Sequence, residues 1–465
     1  MELKNKRVLV VGLGKSGVAA ARFLAAHGAR VTVSDAKADA GGQETPALLE
    51  MGIAVETGTH GERTFVDQDL IVVSPGVPVD LPQLEMARRN GLSIIGEVEL
   101  AYRFLKGKII AITGSNGKTT TTTLVGEILK HVGFHVQVGG NIGTPVIDLV
   151  AESRNDGWTV LEISSFQLET IVDFRPKIAA ILNITPDHLD RHGSMDAYIA
   201  AKARIFENQA KGDSVVLNNR DPICRGFVEA GSAIAVPSEV QTVWFEKHGE
   251  VGKGACVIDG KICWLDDKTT GIMLPSEVPL KGEHNLENVL AAVACAMLAG
   301  CAPKVIREAV MKFKAVDHRL QFISTVDGVE YYNDSKATNV DATIKALESF
   351  VGGIHLILGG KDKESDYTVL LPLLRARAKH VYTIGSAAEK IELQLGREVP
   401  LTHVETLSNA VKLASEHAVA GDVVLLAPAC SSFDQFNNYE HRGKVFRGLV
   451  ESLLTKKLAH AKGGR

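Results

Sequence analysis

Six cysteines in 465 residues, none of them in a Cys-x-x-Cys pair, are too few and too scattered for a disulfide framework or a zinc site. Cys224, Cys256, Cys263, Cys295, Cys301 and Cys430 therefore read as buried free thiols in a reducing compartment. A bilayer-length apolar run is also missing, because the longest, residues 289–302, is too short to cross. Residues 1–6 lead straight into a strand-like stretch, without the apolar segment and small-residue cleavage site of a secretory signal. A cytoplasmic protein without membrane insertion is expected. Nor does one sign of charge dominate: Lys plus Arg number 51 and Asp plus Glu 55, a formal net charge of −4. That balance offers no bulk attraction for nucleic acid or an acidic membrane, so any anion site has to be local.

What is present is an ordinary globular composition, 45% apolar and 23% charged, with 44 glycines that imply many tight turns. The length suits about three domains. Three times a β-branched run, a Gly-rich or polar turn and a helical pattern follow one another, the signature of parallel strands joined by crossover helices. The expected class is α/β in three domains, residues 1–96, 97–315 and 316–465. Residues 213–280 read differently, as short alternating strands, and suggest a small antiparallel patch in the central sheet. The basic tail, residues 456–465, reads as a frayed terminus.

The first turn, Gly12-Leu13-Gly14-Lys15-Ser16-Gly17, joins the strand at residues 7–11 to a helix, and Asp35 ends the next strand. Glycines that let backbone approach a pyrophosphate, a helix N-terminus and an acid for ribose hydroxyls match the dinucleotide fingerprint. Alone, that turn suggests an NAD-dependent oxidoreductase, or a tight turn with no nucleotide. The second turn, Thr113-Gly114-Ser115-Asn116-Gly117-Lys118-Thr119-Thr120, combines backbone N–H donors, a lysine for phosphate oxygens and hydroxyls for Mg²⁺. It is a shortened phosphate loop, with Ile112 where the usual pattern has its first glycine, and it signals ATP. Parallel strands put their carboxyl ends on one edge, so Glu162 and Asp187-His188 should face Lys118 and suit Mg²⁺. The plainer readings are Glu162 as a cap for the helix near Ser164 and His188 as a satisfied turn histidine. Lys202, in a helical pattern, reads by default as a solvated surface lysine.

Lys281-Gly282-Glu283-His284-Asn285-Leu286-Glu287-Asn288 opens an Ala-rich helix and can be caps or ligands. Tyr332-Asn333-Asp334-Ser335-Lys336-Ala337-Thr338-Asn339 sets an acid, an amine and several hydroxyl or amide groups after a strand, which suits a zwitterion or a ribose, or a capped helix start. Gly359-Gly360-Lys361-Asp362-Lys363 and Pro428-Ala429-Cys430-Ser431-Ser432-Phe433-Asp434-Gln435-Phe436 follow strands in the same way.

Taken together, the segments at 113–119, 187–191, 283–285, 318–319, 333–339 and 428–436 resemble the Mur ligases of peptidoglycan synthesis, across all three domains and in order. The last two segments look like the branch that adds D-glutamate. The resemblance implies a Rossmann-like first domain, a central ATPase-like parallel sheet and a Rossmann-like last domain. It implies that the first domain grips a UDP-muramoyl substrate through Gly14, Lys15, Ser16, Asp35, Ser74, Pro75 and Gly76, with Asn141 and Ser164 lining the same substrate. ATP would be held by Gly114, Ser115, Asn116, Gly117, Lys118, Thr119, Thr120, Asn288, Arg319 and Asp334. Mg²⁺ would be held by Thr119, Glu162, His188 and a carbamylated Lys202, and Lys336, Thr338, Lys363, Ser432 and Phe433 would hold the incoming D-glutamate. Lys118, Glu162, His188 and Lys202 form the implied catalytic set, acting in a monomer on small molecules. Two positions depart from the family pattern: Glu364 where glycine is common, and Tyr439 where a Phe-type aromatic is common. A folate polyglutamylating ligase shares the central loop and is the alternative within ligases.

Overall fold

Parallel strands covered on both faces are apolar at nearly every position rather than at alternate ones. That is the pattern of β1 (Arg7–Val11), β4 (Leu70–Val73) and β5 (Ile94–Gly96), whereas β2 (Arg30–Asp35) alternates valine with polar residues and β3 (Ala54–Thr57), at the sheet edge, is more polar. They form one all-parallel sheet in the order β3-β2-β1-β4-β5. The computed structural model describes residues 1–249, 251–280, 282–314 and 317–463, with side chains up to Thr455. Lys281, the expected border at residue 316, and Gly464-Arg465 of the tail lie outside them. The last helix, Tyr439–Gly463, takes up the rest of the tail expected to fray.

The second sheet has nine strands: β6 (Lys108–Thr113), β7 (Val136–Gly140), β8 (Trp158–Glu162), β9 (Ile178–Ile181), β10 (Ser214–Asn218), β11 (Gln241–Glu246), β12 (Gly254–Ile258), β13 (Lys261–Leu265) and β14 (Thr269–Met273). Their order is β14-β13-β12-β11-β10-β9-β6-β8-β7. The antiparallel patch expected over 213–280 is confined to β12, β13 and β14, at the sheet edge. Strands β10 and β11 pair parallel instead, because a helical connection, Pro222–Gly226, carries the chain back between them. Asp259 and Gly260, both at positive φ, make the two-residue turn that joins β12 to β13.

The third sheet, in the order β15-β16-β20-β17-β18-β19, comprises β15 (Gln321–Val326), β16 (Val329–Asn333), β17 (Ile354–Gly359), β18 (Ala378–Ile384), β19 (Leu401–Glu405) and β20 (Val423–Leu426). Only the β15–β16 pair is antiparallel. The chain divides into two compact units. One holds the first two sheets, and the other holds the third sheet with the segments Thr185–Asp190 and Val278–Leu286. In the first unit the two sheets share a core that runs from Val8 and Val10 through Leu100 and Ala101 to Ile109 and Leu161. The short helix Glu97–Tyr102 carries this continuity and buries two carboxylates. Glu99 accepts the backbone N–H groups of Val172, Asp173 and Phe174 at 2.9–3.0 Å, and Arg103 donates to it at 2.9 Å. Among the described residues, no helix is long and apolar enough to cross a membrane.

Candidate active site

Strands β6, β8, β9 and β7 run parallel, so their carboxyl ends meet along one edge. The second glycine turn leaves β6 there. Gly114 and Gly117 sit at φ +148 and +86, values that a side chain resists, and a Cβ on Gly117 would stand 2.1 Å from Asn288 Oδ1. Backbone N–H groups of the turn are anchored by the end of β9: Ser115 donates to Asn183 O at 2.9 Å and Asn116 to Asn183 Oδ1 at 2.8 Å. The helix Lys118–Val132 starts directly after it, so its positive dipole end lies at the loop. Lys118 Nζ donates to the carbonyls of Gly114 and Ser115, each at 2.8 Å.

Glu162 does not cap a helix. Ser164 does, closing a capping box with Gln167 at the helix Ser165–Leu168. The buried Glu162 carboxylate instead accepts from Thr119 Oγ1 at 2.7 Å and from Asn141 Nδ2 at 2.8 Å. The default reading of Lys202 is also overturned. It is buried at 2% exposure on the helix Met195–Ala203, its Nζ donates to Gly114 O at 2.9 Å, and it lies 4.6 Å from the Tyr198 ring. Tyr198, which sequence reasoning passed over, hydrogen-bonds through Oη to Ser115 Oγ at 3.0 Å. Lys118, Thr119, Glu162, Asn141 and Lys202 thus surround one phosphate-type loop. Asn288 stands behind it against Gly117 and Thr121.

In the first sheet, Gly17 packs so close that a Cβ there would lie 1.9 Å from Gly12 O. Asp35 accepts the N–H of Leu13 at 2.8 Å and of Lys37 at 2.9 Å, so its carboxylate braces the turn. Ser74 Oγ donates to Gly12 O at 3.1 Å, and Lys15 Nζ donates to Gly143 O. The turn, residues 74–77 and the loop after β7 therefore form one connected surface.

His188 belongs to the segment that packs with the third sheet, whereas Glu162 belongs to the first unit, so strand-end reasoning does not by itself unite them. His188 takes a left-handed backbone, φ +55, and its N–H donates to the Asp187 side chain at 3.0 Å. Asp187 also accepts from Asn339 Nδ2 at 3.0 Å and from Lys363 Nζ at 3.2 Å. Lys336 Nζ lies 5.0 Å from the Tyr439 ring centroid. Ser432 is buried and Phe433 exposed on the loop after β20. Glu364 sits at φ +59, which explains why glycine suits that position. Behind these loops Arg442, fully buried, donates to Ser335 Oγ at 3.0 Å, Ser335 O at 2.8 Å, Cys430 O at 3.1 Å and Ser431 O at 3.3 Å. Sequence reading missed Arg442, because a lone arginine on a helix carries no local signal.

The chain matches, in order, family models described as Mur ligase MurD-like, N-terminal domain (residues 6–96), Mur ligase middle domain (112–296) and Mur ligase, glutamate ligase domain (318–430). It is 61% identical over 455 residues to the UDP-N-acetylmuramoylalanine--D-glutamate ligase of Koribacter versatilis, a match that covers 97% of this chain and 99% of that one. The chain belongs to the Mur ligase family. The ligase of the same name from Acidobacterium capsulatum is 62% identical over 454 residues, covering 97% of each chain. The fold is shared with a pseudomurein peptide ligase type C from Methanothermus fervidus (TM-score 0.61, 21% identity, 97% and 100% coverage). It is also shared with a UDP-N-acetylmuramate-alanine ligase from Thermotoga maritima (TM-score 0.58, 20% identity, 96% and 100% coverage). The oxidoreductase reading of the first turn gives way to that of an ATP-dependent ligase.

In this Mur ligase Asp334 is a buried acid with an unsatisfied atom: Oδ1 has no hydrogen-bond partner, and neither has the nearby Arg319 Nε. Burial outweighs the Arg319 charge and pushes the Asp334 carboxyl up from 3.8 to about 6. The folded state then holds that proton more tightly than the unfolded chain, so stability is lost as pH rises through the window between those values. Asp334→Asn is expected to stabilise the ligand-free protein at pH 7.5 by about 1–3 kcal/mol, with the gain vanishing near pH 4. Urea unfolding at the two pH values checks this, and a gain of equal size at both would contradict it.

Proposed function

We propose that this Mur ligase joins D-glutamate to UDP-N-acetylmuramoyl-L-alanine at the expense of ATP, in the making of peptidoglycan precursors. The observation that carries the reading is about 60% identity to ligases of that name over nearly the whole of both chains. The terminal L-alanine carboxylate attacks the γ-phosphorus of ATP. ADP leaves and an acyl phosphate forms, with Lys118 and the helix N-terminus neutralising charge on the transferring group. The neutral amine of D-glutamate then attacks the acyl carbon, and inorganic phosphate leaves from the tetrahedral intermediate.

The donor chemistry around Thr119 and Glu162, a hydroxyl and a carboxylate in hydrogen-bond contact, suits a hard cation that takes oxygen ligands and keeps several waters. Mg²⁺ would be held by Thr119, Glu162, His188 and a carbamylated Lys202, and would supply charge neutralisation on the phosphates. A carbamate on Lys202 turns a buried cation into an oxygen ligand and keeps one N–H for Gly114 O. The nucleotide sugar lies against Gly14, Lys15, Ser16, Asp35, Ser74, Pro75, Gly76, Asn141 and Ser164. The rest of ATP meets Gly114, Ser115, Asn116, Gly117, Thr120, Asn288, Arg319 and Asp334, and D-glutamate meets Lys336, Thr338, Lys363, Ser432 and Phe433. In this reading the domains, with borders near residues 96 and 316, close to bring ATP and amino acid groups together in a cytoplasmic monomer.

The test is phosphate release from ATP and Mg²⁺ with UDP-N-acetylmuramoyl-L-alanine, offering D-glutamate, L-glutamate, L-lysine and meso-diaminopimelate separately. Turnover with D-glutamate alone is expected. Turnover with another amino acid keeps the ligase and moves the assignments in the third sheet, and none at all overturns the reading.

A further inference from the structure

Arg191 and His192 end the short helix Leu189–His192, and both pack on one aromatic ring. The Arg191 guanidinium lies 4.6 Å from the Phe166 centroid, and the His192 imidazole lies parallel to the ring at 5.2 Å, tilted by 15°. Glu169 sits against both, 3.6 Å from Arg191 Nη2 and 3.3 Å from His192 Nδ1. The other imidazole nitrogen meets Ser165 Oγ at 2.9 Å. These contacts, all within the first unit, leave the guanidinium little freedom.

Its free edge points at backbone. Arg191 Nη1 donates to Gly76 O at 3.2 Å and Nη2 to Val77 O at 2.7 Å, more than a hundred residues back along the chain. Those carbonyls belong to the loop after β4, whose Ser74 donates to Gly12 O and whose Val77 crowds Gly12. The loop is therefore pinned at one end by the first glycine turn and at the other by a cation mounted on the helix Ser165–Leu168 that follows β8. A charged donor to two carbonyls is a strong restraint, added here to the backbone bonds from Ser74 N–H to Val11 O and from Val77 N–H to Ser74 O.

We propose that Arg191 is a positioning residue for the nucleotide-sugar substrate. Through the carbonyls of Gly76 and Val77 it fixes residues 74–77 against the glycine turn, with Phe166, His192 and Glu169 as its mount. This rests on the reading of that turn as the nucleotide-sugar site. A planar fork is needed, since a lysine supplies the charge but not two divergent donors in one plane.

Steady-state kinetics and titration calorimetry on the full chain test it. In Arg191→Ala, KM and Kd for UDP-N-acetylmuramoyl-L-alanine rise about ten- to a hundredfold, with kcat down less than about threefold and KM for ATP shifted less than about twofold. Arg191→Lys falls between wild type and Arg191→Ala. Glu169→Gln, which loosens the mount but keeps the fork, raises the same KM by a smaller factor. Equal sugar binding by wild type and Arg191→Ala overturns the proposal. So does a parallel loss of ATP and sugar binding with a lowered melting temperature in both Arg191 variants, which would mark a merely structural role. If the wild type itself takes no nucleotide sugar, the functional reading fails, and the proposal fails with it.

Discussion

Replacing Lys118 by Met removes about three orders of magnitude from kcat. The methionine is close in length and unbranched, so the helix Lys118–Val132 and the loop before it keep their packing. What is lost is a cation held 2.8 Å from two loop carbonyls, at the point where backbone N–H groups and a helix dipole already favour anions. Phosphoryl transfer needs little covalent help from protein. Most of its acceleration comes from charge placed where the transferring group passes, and a missing lysine is therefore felt in the chemical step. Affinity for the nucleotide sugar should stay within about twofold, because the residues assigned to it belong to other loops. Single-turnover formation of ADP measures the chemical step directly. A variant that kept kcat within tenfold of wild type would place the transferred phosphate elsewhere.

Arg442→Met lowers the stability of the third-sheet unit by about 3–5 kcal/mol and raises KM for D-glutamate. Two considerations oppose each other here. Burial is costly for the guanidinium and pulls its pKa down to about 10, so a well-packed apolar side chain could in principle do as well. The acceptors decide it. Ser335 O, Cys430 O and Ser431 O lie in loops that leave two different strands, and each loses a charged donor that a thioether cannot replace. A Cβ on Gly360 would come within 3.1 Å of Nη1, so the loop after β17 packs on the same guanidinium. Three of the loops assigned to ATP and amino acid thus converge on one side chain. Urea unfolding followed by a probe in the third sheet, with a D-glutamate titration of phosphate release, measures both effects. Unchanged stability together with unchanged KM would show that the loops hold themselves.

Features governed by residues close together in the chain were legible in the sequence. The apolar runs of β1, β4, β6, β8, β17 and β20 announce buried parallel strands, because each strand needs only its own residues to be apolar on both faces. The two glycine turns are equally local, since positive φ at Gly12, Gly114 and Gly117 is a property of single residues. Strand β7, with two glycines and a glutamine in five residues, was missed for the same reason: its own sequence argues weakly for a strand.

The amino-acid sequence by itself thus determined an α/β chain with a phosphate loop and a second glycine turn on strand ends. Tertiary structure alone decided that Lys202 is buried, because its partner Gly114 O lies 88 residues away. It also decided that Glu162 meets Thr119 and Asn141 rather than capping a helix, that Arg442 gathers loops about a hundred residues apart, and that Arg191 pins a loop from the first sheet. The reason is common to all four: a polar side chain's role is set by which donors and acceptors are brought to it when the chain is packed, and no periodicity in its own segment encodes them.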